Sequence, residues 1–398
     1  MKIKISNISK IISWNISTES IEIIENKDIL IESGKISQIS NDIVSYDEMI
    51  DAKQCIVTPG FIDTHTHPVF IGNRANEFEL RAKGKTYQEI SKMGGGIKSS
   101  VNSLRQASEE ELYFASYNNI KPFIHFGTTT LEAKSGYGLS LKDEVKSLKV
   151  LKKINESLDI NIIPTFLGAH DFPDEFKNNK EEYVRLICEE MIPQVAEQEL
   201  AVFCDVFCEE GYFNHEQTKK ICNAARINNL EIKLHVDEFK DSSGAYLAGE
   251  LNATSADHLM KSNVKGLKHM AKNGVIATIL PGTTLFLGMN TYANGRQIID
   301  AGCDIALASD YNPGSCTIYS LPIIMALSCL YCGLSVEDAF KGVTYNAAKA
   351  INRHDSIGLI KENYFADLLF WDIETIAEIP YWFNSDKLSM VMKKGKLV

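Results

Sequence analysis

The sequence has no apolar run long enough to cross a bilayer, and it does not begin with an apolar signal segment. From Met1 to Asn7, polar and apolar residues alternate instead. We therefore expect no membrane partner and a location in the cytoplasm. Low-complexity segments, charge blocks and internal repeats are also missing from the chain. Disordered and solenoid architectures are therefore not expected.

Positive charge is scarce. The chain has 41 Lys and Arg against 52 Asp and Glu, a formal net charge of -11, and no basic run offsets this locally. Such a surface repels a phosphate backbone, so we expect no nucleic-acid partner. The nine cysteines are an odd number with no secretory signal, which argues against a disulfide framework. Cys329 and Cys332 have C-x-x-C spacing but no second pair, so buried thiols are favoured over a metal site.

Eight short apolar runs typical of buried strands are present. They lie at about 56–66, 127–133, 160–168, 201–207, 231–237, 253–258, 275–280 and 304–310. Helix start signals occur between them, as the pairs Ser108 and Glu111, Ser140 and Asp143, Asn214 and Gln217, and Ser335 and Asp338. Strands that alternate with helices predict an α/β fold, a (β/α)8 TIM-like barrel over residues 56–356.

The two ends of the chain have a different pattern. Residues 1–55 contain short β-rich segments separated by turns, and residues 357–398 return to this pattern. Neither end has enough apolar surface to fold alone. We therefore predict that they combine into one small β-sandwich domain beside the barrel.

Histidines and an aspartate follow several predicted barrel strands. His65 and His67 end the first strand and project to the same side, because side chains alternate along a strand. His235 and Asp310 end two later strands, and a barrel brings such ends to one mouth. Each of the four alone could be a buried polar residue or a helix cap. Together they predict a site for one divalent metal ion, Zn or Fe, with room for a water molecule.

Two more histidines, His170 and His258, also fall at strand ends, so five of the nine histidines are expected at one rim. For the other four a surface or structural role is favoured. These four are His125, His215, His269 and His354.

At the level of motifs, the sequence resembles the amidohydrolase superfamily and, within it, the imidazolonepropionase family of histidine degradation. The matching segments are PGFIDTHTHPVFIGNRANEFELR (59–81), GGGI (94–97), KSGYGL (134–139), FLGAH (166–170), HVDEF (235–239), SADHL (255–259), LPGTTLFL (280–287) and SDYNPGS (309–315). The H-x-H pair indicates only the superfamily, whereas KSGYGL together with DYNPGS is specific to the narrower family. Val236 and Ser309 depart from the expected residues, although neither should alter a metal ligand.

The resemblance implies hydrolytic opening of the ring of 4-imidazolone-5-propanoate to N-formimidoyl-L-glutamate, with a small anionic imidazolone as the partner. It places substrate binding at Arg74, Tyr137, His170, Glu238, Asn312, Gly314 and Ser315. It also implies acid-base work by Glu238, His258 and Asp310, and which of these is the general base stays open. Arg74 could otherwise form a surface ion pair, Tyr137 could be a packing residue, and Asn312 to Gly314 could be a plain turn.

Two other functions remain open at this point. A deaminase of purine-type or pyrimidine-type heterocycles would also suit HVDE, whereas Arg74 and Tyr137 favour an anionic substrate. A catalytically silent barrel used in protein assembly would be expected to have lost its metal ligands.

Lys134 could be carbamylated and hold a second metal, although KSGYGL matches a mononuclear group. The GGGIKSS stretch (94–100) lacks the spacing of a phosphate loop and is expected to be a flexible loop near the mouth. A homodimer is compatible with the sequence but not required by it.

Overall fold

The computed structural model describes residues 1–85, 89–90, 93–384 and 386–398. Its strands, in chain order, are β1 Lys2–Ser6, β2 Lys10–Asn15, β3 Ser20–Glu25, β4 Asp28–Glu32, β5 Lys35–Ser40, β6 Glu48–Asp51, β7 Ile56–Pro59, β8 Phe61–Asp63, β9 Thr128–Lys134, β10 Asn161–Ala169, β11 Phe203–Cys208, β12 Glu231–Val236, β13 Ser255–His258, β14 Ile276–Ile279, β15 Ile305–Leu307, β16 Leu368–Trp371, β17 Leu388–Lys393 and β18 Lys396–Leu397.

The described residues form helices at Ala75–Ala82, Ile97–Gln106, Glu109–Ile120, Pro122–His125, Leu141–Ser157, Lys180–Leu186, Ile192–Glu197, His215–Ile227, Gly244–Glu250, Val264–Lys272, Pro281–Phe286, Gly295–Asp300, Leu321–Tyr331, Val336–Val343, Tyr345–Ala350 and Glu378–Tyr381. All four predicted helix starts are confirmed. Ser108, Asn214 and Ser335 form reciprocal capping boxes, and the Ser140 side chain accepts a hydrogen bond from the Asp143 amide. None of these helices combines the length and apolar character that a membrane span requires.

Strands β8 to β15 form one sheet of eight parallel strands that follow each other in sequence order. Residues just after the first and last of these strands close the sheet. The Asp310 amide donates to the His65 carbonyl at 3.0 Å, and the His67 amide donates to the Tyr311 carbonyl at 2.8 Å. The predicted (β/α)8 barrel is therefore confirmed.

The predicted first run, 56–66, is two strands in two different sheets. Strand β7 pairs with β2 and β16, whereas β8 begins the barrel after Gly60. A Cβ atom on Gly60 would lie 2.2 Å from Oγ1 of Thr129, so only glycine lets the chain pass this close to β9. This crossing sends the chain directly into the strand that leads to His65.

Outside the barrel, the two chain ends form two small sheets. Their strand orders are β5-β4-β1-β6 and β18-β17-β16-β7-β2-β3. Ile5 and Ile31 of the first sheet share one buried cluster with Val57, Phe370 and Met392 of the second. The predicted β-sandwich built from both chain ends is therefore confirmed, because β16 to β18 come from the last part of the chain.

Candidate metal centre and substrate cavity

Four buried side chains meet at the C-terminal mouth of the barrel. His65 and His67 follow β8, His235 lies on β12, and Asp310 follows β15. Their exposed fractions are 0%, 3%, 3% and 4%. The parallel order of the strands brings these distant positions together, because every strand ends at the same rim.

The spacing of their polar atoms fits a small cation. Nε2 of His67 lies 3.2 Å from Nε2 of His65, 3.4 Å from Nε2 of His235 and 3.4 Å from Oδ1 of Asp310. Nε2 of His65 lies 3.6 Å from the same Asp310 oxygen. Ligand atoms arranged tetrahedrally around Zn²⁺ are about 3.3 Å apart, given Zn–N distances of about 2.0–2.1 Å. The arrangement therefore matches the donor set of a divalent metal.

Three of the four candidate ligands, His65, His235 and Asp310, are held on their other side by a buried partner that the sequence did not single out. Nδ1 of His65 lies 2.6 Å from Oδ2 of Asp257, and Nδ1 of His235 lies 3.1 Å from Oδ1 of Asp205. The Thr283 hydroxyl donates to Oδ2 of Asp310 at 2.6 Å. Such partners turn the imidazole Nε2 lone pairs and the Asp310 Oδ1 toward the centre.

Burial keeps the imidazoles of His65 and His67 neutral. It lowers the pKa of His65 well below the usual value, and the charge of Lys134 and the nearby histidines adds to this effect. Burial, with a smaller effect of His235, also lowers the pKa of His67. A neutral imidazole is the form that binds a metal, so these two side chains need not lose a proton first.

Two residues at the mouth have a left-handed backbone. Asp310 has φ 53° and His258 has φ 78°. Residues other than glycine seldom adopt this region. At Asp310 the conformation is secured by the bond from its backbone N–H to the His65 carbonyl and by Nδ2 of the Asn312 side chain, which donates to the Asp310 carbonyl at 2.7 Å. Such backbone geometry concentrates at functional sites, where the surroundings compensate for its cost.

Glu238 and His258 face each other across the mouth. Oε2 of Glu238 lies 3.7 Å from Nε2 of His258. Burial, and then the charges of Asp310 and Glu209, raise the pKa of Glu238 well above the usual value. Burial also lowers the pKa of His258 to about 3. The Glu209 carboxylate accepts from the Glu238 amide at 2.9 Å, which holds the segment that carries Glu238.

A cavity of about 500 Å³ opens beside these groups. It is lined by His67, Arg74, Ile97, Tyr137, His170, Phe207, Tyr212, His235, Glu238, Phe239, His258, Leu287, Asp310, Asn312 and Ser315. Of the predicted site residues, His65 lies beneath the cavity wall and Gly314 lies behind Arg74. The others line the cavity.

Gly314 and Asn312 shape the wall around Arg74. A Cβ atom on Gly314 would lie 2.0 Å from Nη1 of Arg74, so the missing side chain makes room for the guanidinium. Oδ1 of Asn312 accepts from the amides of Gly314 and Ser315 at 2.8 and 2.7 Å. Asn312 therefore closes the turn that places Gly314 and Ser315 beside Arg74.

Tyr137 is held by a rigid loop between β9 and the next helix. The buried Glu144 carboxylate accepts from the amides of Gly136, Gly138 and Leu139 at 3.0, 2.8 and 2.8 Å. Nδ1 of His170 lies 2.9 Å from the Gly136 carbonyl oxygen, which ties this second predicted substrate residue to the same loop.

Lys134 is fully buried below the ligands. Its ammonium lies 2.8 Å from Glu132 and 2.8 Å from Asp205. Although burial disfavours its charge, the carboxylates of Asp205 and Glu132 raise the pKa of Lys134 above its usual value. In this pairing the Lys134 amine is charged, which is not the form that reacts with CO₂.

Comparison with known proteins agrees with this geometry. Residues 56–398 match the amidohydrolase family. The imidazolonepropionase of Geobacillus sp. (strain WCH70) is 44% identical over 387 residues, covering 95% of this chain and 91% of that protein. The imidazolonepropionase of Clostridium tetani (strain Massachusetts / E88) is 42% identical, covering 95% and 92%.

Solved structures show the same fold at low identity. The atrazine chlorohydrolase of Arthrobacter aurescens TC1, solved with zinc, superposes with a TM-score of 0.77 at 16% identity and covers 99% of this chain and 94% of that one. An adenosine deaminase of Xanthomonas campestris with bound zinc gives a TM-score of 0.75 at 13% identity, with coverage of 99% and 92%. With the fold, the mouth geometry and the full-length relatives in agreement, the chain belongs to the amidohydrolase family and, within it, to the imidazolonepropionases.

Proposed function

We propose that this hydrolase opens the ring of 4-imidazolone-5-propanoate to give N-formimidoyl-L-glutamate. One observation carries the proposal: the same cavity contains a cluster of metal-binding side chains and the buried guanidinium of Arg74. A substrate that joins a polar heterocycle to a carboxylate can place its heterocycle at the metal-binding cluster and its carboxylate at Arg74. The imidazolonepropionase relatives support this assignment.

His65, His67, His235 and Asp310 are the proposed ligands of one divalent ion, Zn or Fe. Such an ion, when bound, lowers the pKa of a coordinated water and polarises a carbonyl oxygen. Nε2 of His67 lies 3.2 to 3.4 Å from an atom of each of the other three residues, and His65 and Asp310 are 3.6 Å apart, which supports a single site of this kind.

Acid-base work in the proposal belongs to Asp310, Glu238 and His258. The bond between the ring carbonyl carbon and its neighbouring nitrogen breaks, the carbon gains the hydroxyl of water, and the nitrogen gains a proton. Asp310 accepts the proton of the attacking water, and the protonated Glu238 carboxyl serves the ring nitrogen. His258 is placed to hydrogen-bond the oxyanion as it develops.

Substrate binding is assigned to the opposite wall of the cavity. A guanidinium can hold a carboxylate through two parallel hydrogen bonds, so Arg74 is the proposed partner of the propionate. Tyr137 and Ser315 add hydroxyls, and Asn312 and Gly314 build the wall that they share. His170 lies nearer the metal ligands, its ring stacked 5.1 Å from that of His67, and is assigned to the heterocycle.

Metal analysis and a product assay on the purified protein test the proposal together. We expect near one equivalent of metal, and ring-opened product from 4-imidazolone-5-propanoate without ammonia. His235→Ala should lose both metal and activity, because three ligands hold the ion poorly. Release of ammonia from a purine or pyrimidine, with imidazolonepropanoate left intact, would overturn the proposal in favour of a deaminase.

A further inference from the structure

The glycine-rich loop 94–96 has a structural purpose that its sequence leaves open. Gly96 has φ 78° and ψ -155°, a conformation essentially confined to glycine. A Cβ atom on Gly95 would lie 2.8 Å from Cγ2 of Ile90 and 3.0 Å from Oε1 of Glu77. The loop therefore needs glycines so that its backbone can approach the Glu77 carboxylate.

Glu77 lies between this loop and the substrate cavity. Its Oε1 accepts from the Gly96 amide at 3.0 Å, and its Oε2 lies 2.6 Å from Nη2 of Arg74. Only 7% of Glu77 and 7% of Arg74 is exposed. Glu77 thus connects the backbone of the loop to the guanidinium through one buried carboxylate.

A role in capping its own helix does not explain these contacts. Glu77 is in the first turn of Ala75–Ala82, yet the helix start has no side-chain cap hydrogen bond. Oε1 instead bonds to a loop amide outside that helix, and Oε2 bonds to the side chain of Arg74, the N-cap residue, whose guanidinium lines the cavity wall.

Charge gives a reason for this arrangement. A buried guanidinium beside a site for a divalent cation is costly without a counter-charge, and Glu77 supplies one. A charge-assisted bond to one nitrogen also fixes the plane of the guanidinium before the ligand arrives, which lowers the entropy cost of binding.

We propose that Glu77, anchored by the Gly96 amide, is a positioning residue that orients Arg74 for the carboxylate of the substrate. The inference rests on the carboxylate-binding role proposed above for Arg74. It assigns to the glycine-rich loop the task of holding Glu77.

The test compares how tightly two unreactive ligands bind the metal-loaded enzyme. Imidazole-4-propionate carries the carboxylate, and imidazole-4-propionamide is its neutral counterpart. Calorimetry on the wild type should show a preference for the acid. In Glu77→Gln, the Kd of the acid should rise by roughly tenfold or more, since a hydrogen bond to a charged group is lost, while that of the amide should change little.

Controls separate positioning from a general structural role. Glu79→Gln changes an exposed residue of the same helix that pairs with Lys83, and it should bind both ligands as the wild type does. Glu77→Asp keeps the charge but shortens its reach, so it too should lose preference for the acid. It serves as the second variant should Glu77→Gln not fold. Metal content should be unchanged in all three variants.

Two outcomes would overturn the inference: an unchanged acid preference in the Glu77 variants, or an equal weakening of both ligands. A failure of the proposed function differs visibly, because the wild type would then not open imidazolonepropanoate and Arg74→Lys would leave the acid preference intact. In the expected case, adding Glu77→Gln to Arg74→Lys produces little further loss, since the group that Glu77 orients is already altered.

Discussion

At the scale of single residues, Thr283 leaves Asp310 with one oxygen for the ligand cluster. The Thr283 hydroxyl donates to Oδ2 of Asp310, so Oδ1 is the oxygen that faces His65 and His67. Thr283→Val keeps the shape and removes this bond, and the Kd for zinc should rise by about tenfold or more. Thr283→Ser should retain tight binding. Competition with a chromophoric chelator measures both, and equal affinities in Val and Ser variants would remove Thr283 from this role.

Glu238 is the residue on which proton transfer most depends in the proposed reaction. Glu238→Gln preserves size and removes the ionisable group, so kcat should fall by roughly a hundredfold or more with metal content unchanged. Glu210→Gln is a matched control, because Glu210 is exposed and pairs with Lys240. A kcat that stays at the wild-type value would exclude Glu238 from acid-base work.

Arg74 separates ring opening from deamination of a neutral base. Arg74→Lys replaces a two-pronged donor by a point charge on a flexible stem. We expect KM to rise and kcat/KM to fall, because a misaligned propionate shifts the ring away from the metal ligands. Steady-state kinetics with metal analysis on the same sample checks this. Unaltered kinetics would mean that the carboxylate binds elsewhere.

The sequence predicts the proposed metal ligands better than the residues that hydrogen-bond to them. His65, His67, His235 and Asp310 stand out because polar residues end apolar strands. In the structure, His67 lies within 3.4 Å of each of the other three. Asp205 and Asp257 look like isolated carboxylates within strands, and Thr283 lies in a helix after β14. Their roles depend on contacts across the barrel, which no local pattern encodes.

At the scale of elements, the loop before helix Leu141–Ser157 is fixed by Glu144. Three loop amides converge on this carboxylate, so Tyr137 is held without help from a ligand. Glu144→Gln keeps one accepting oxygen and should cost about 1–3 kcal/mol of unfolding free energy, since buried amides lose a partner. KM should rise as well. Chemical denaturation measures the first effect and kinetics the second.

Glu156 provides the control on the same helix. It is exposed there, so Glu156→Gln should leave both stability and KM near the wild type. Should Glu144→Gln match that control in both respects, the loop would have to be held by other contacts.

At the scale of the whole molecule, three of the proposed metal ligands also lie at the seam that closes the barrel, namely His65, His67 and Asp310. Two backbone bonds join the segments after β8 and β15, and His65, His67 and Asp310 supply three of their four atoms. A bound ion therefore links the first and last strands of the barrel. Removing it with a chelator should lower Tm, because a ligand that binds only the folded state stabilises it.

Hydrogen exchange would locate that effect. The amides of His67 and Asp310 should lose more protection on metal removal than those of β10 and β11, on the far side of the barrel. A uniform loss across all strands would show that the ion acts on global stability without favouring the seam.

The barrel itself could be predicted from the sequence, because eight apolar runs and four helix start signals indicate strands that alternate with helices. The split of residues 56–66 between two sheets does not. Ile56–Pro59 and Phe61–Asp63 are equally apolar, and only the partners contributed by β2, β16 and β9 distinguish them. Partner choice over such distances is set by the complete fold.

The pairing of β7 with β16 has a consequence for folding while the chain is synthesised on the ribosome. Trp371 donates to the Thr58 hydroxyl across 313 residues, so β7 emerges from the exit tunnel long before its neighbour β16. During most of translation the small sheet has an unfilled edge, a surface prone to pairing with other nascent chains. Only after the barrel has emerged can β16 complete that sheet, so the pairing of β7 with β16 forms late in folding.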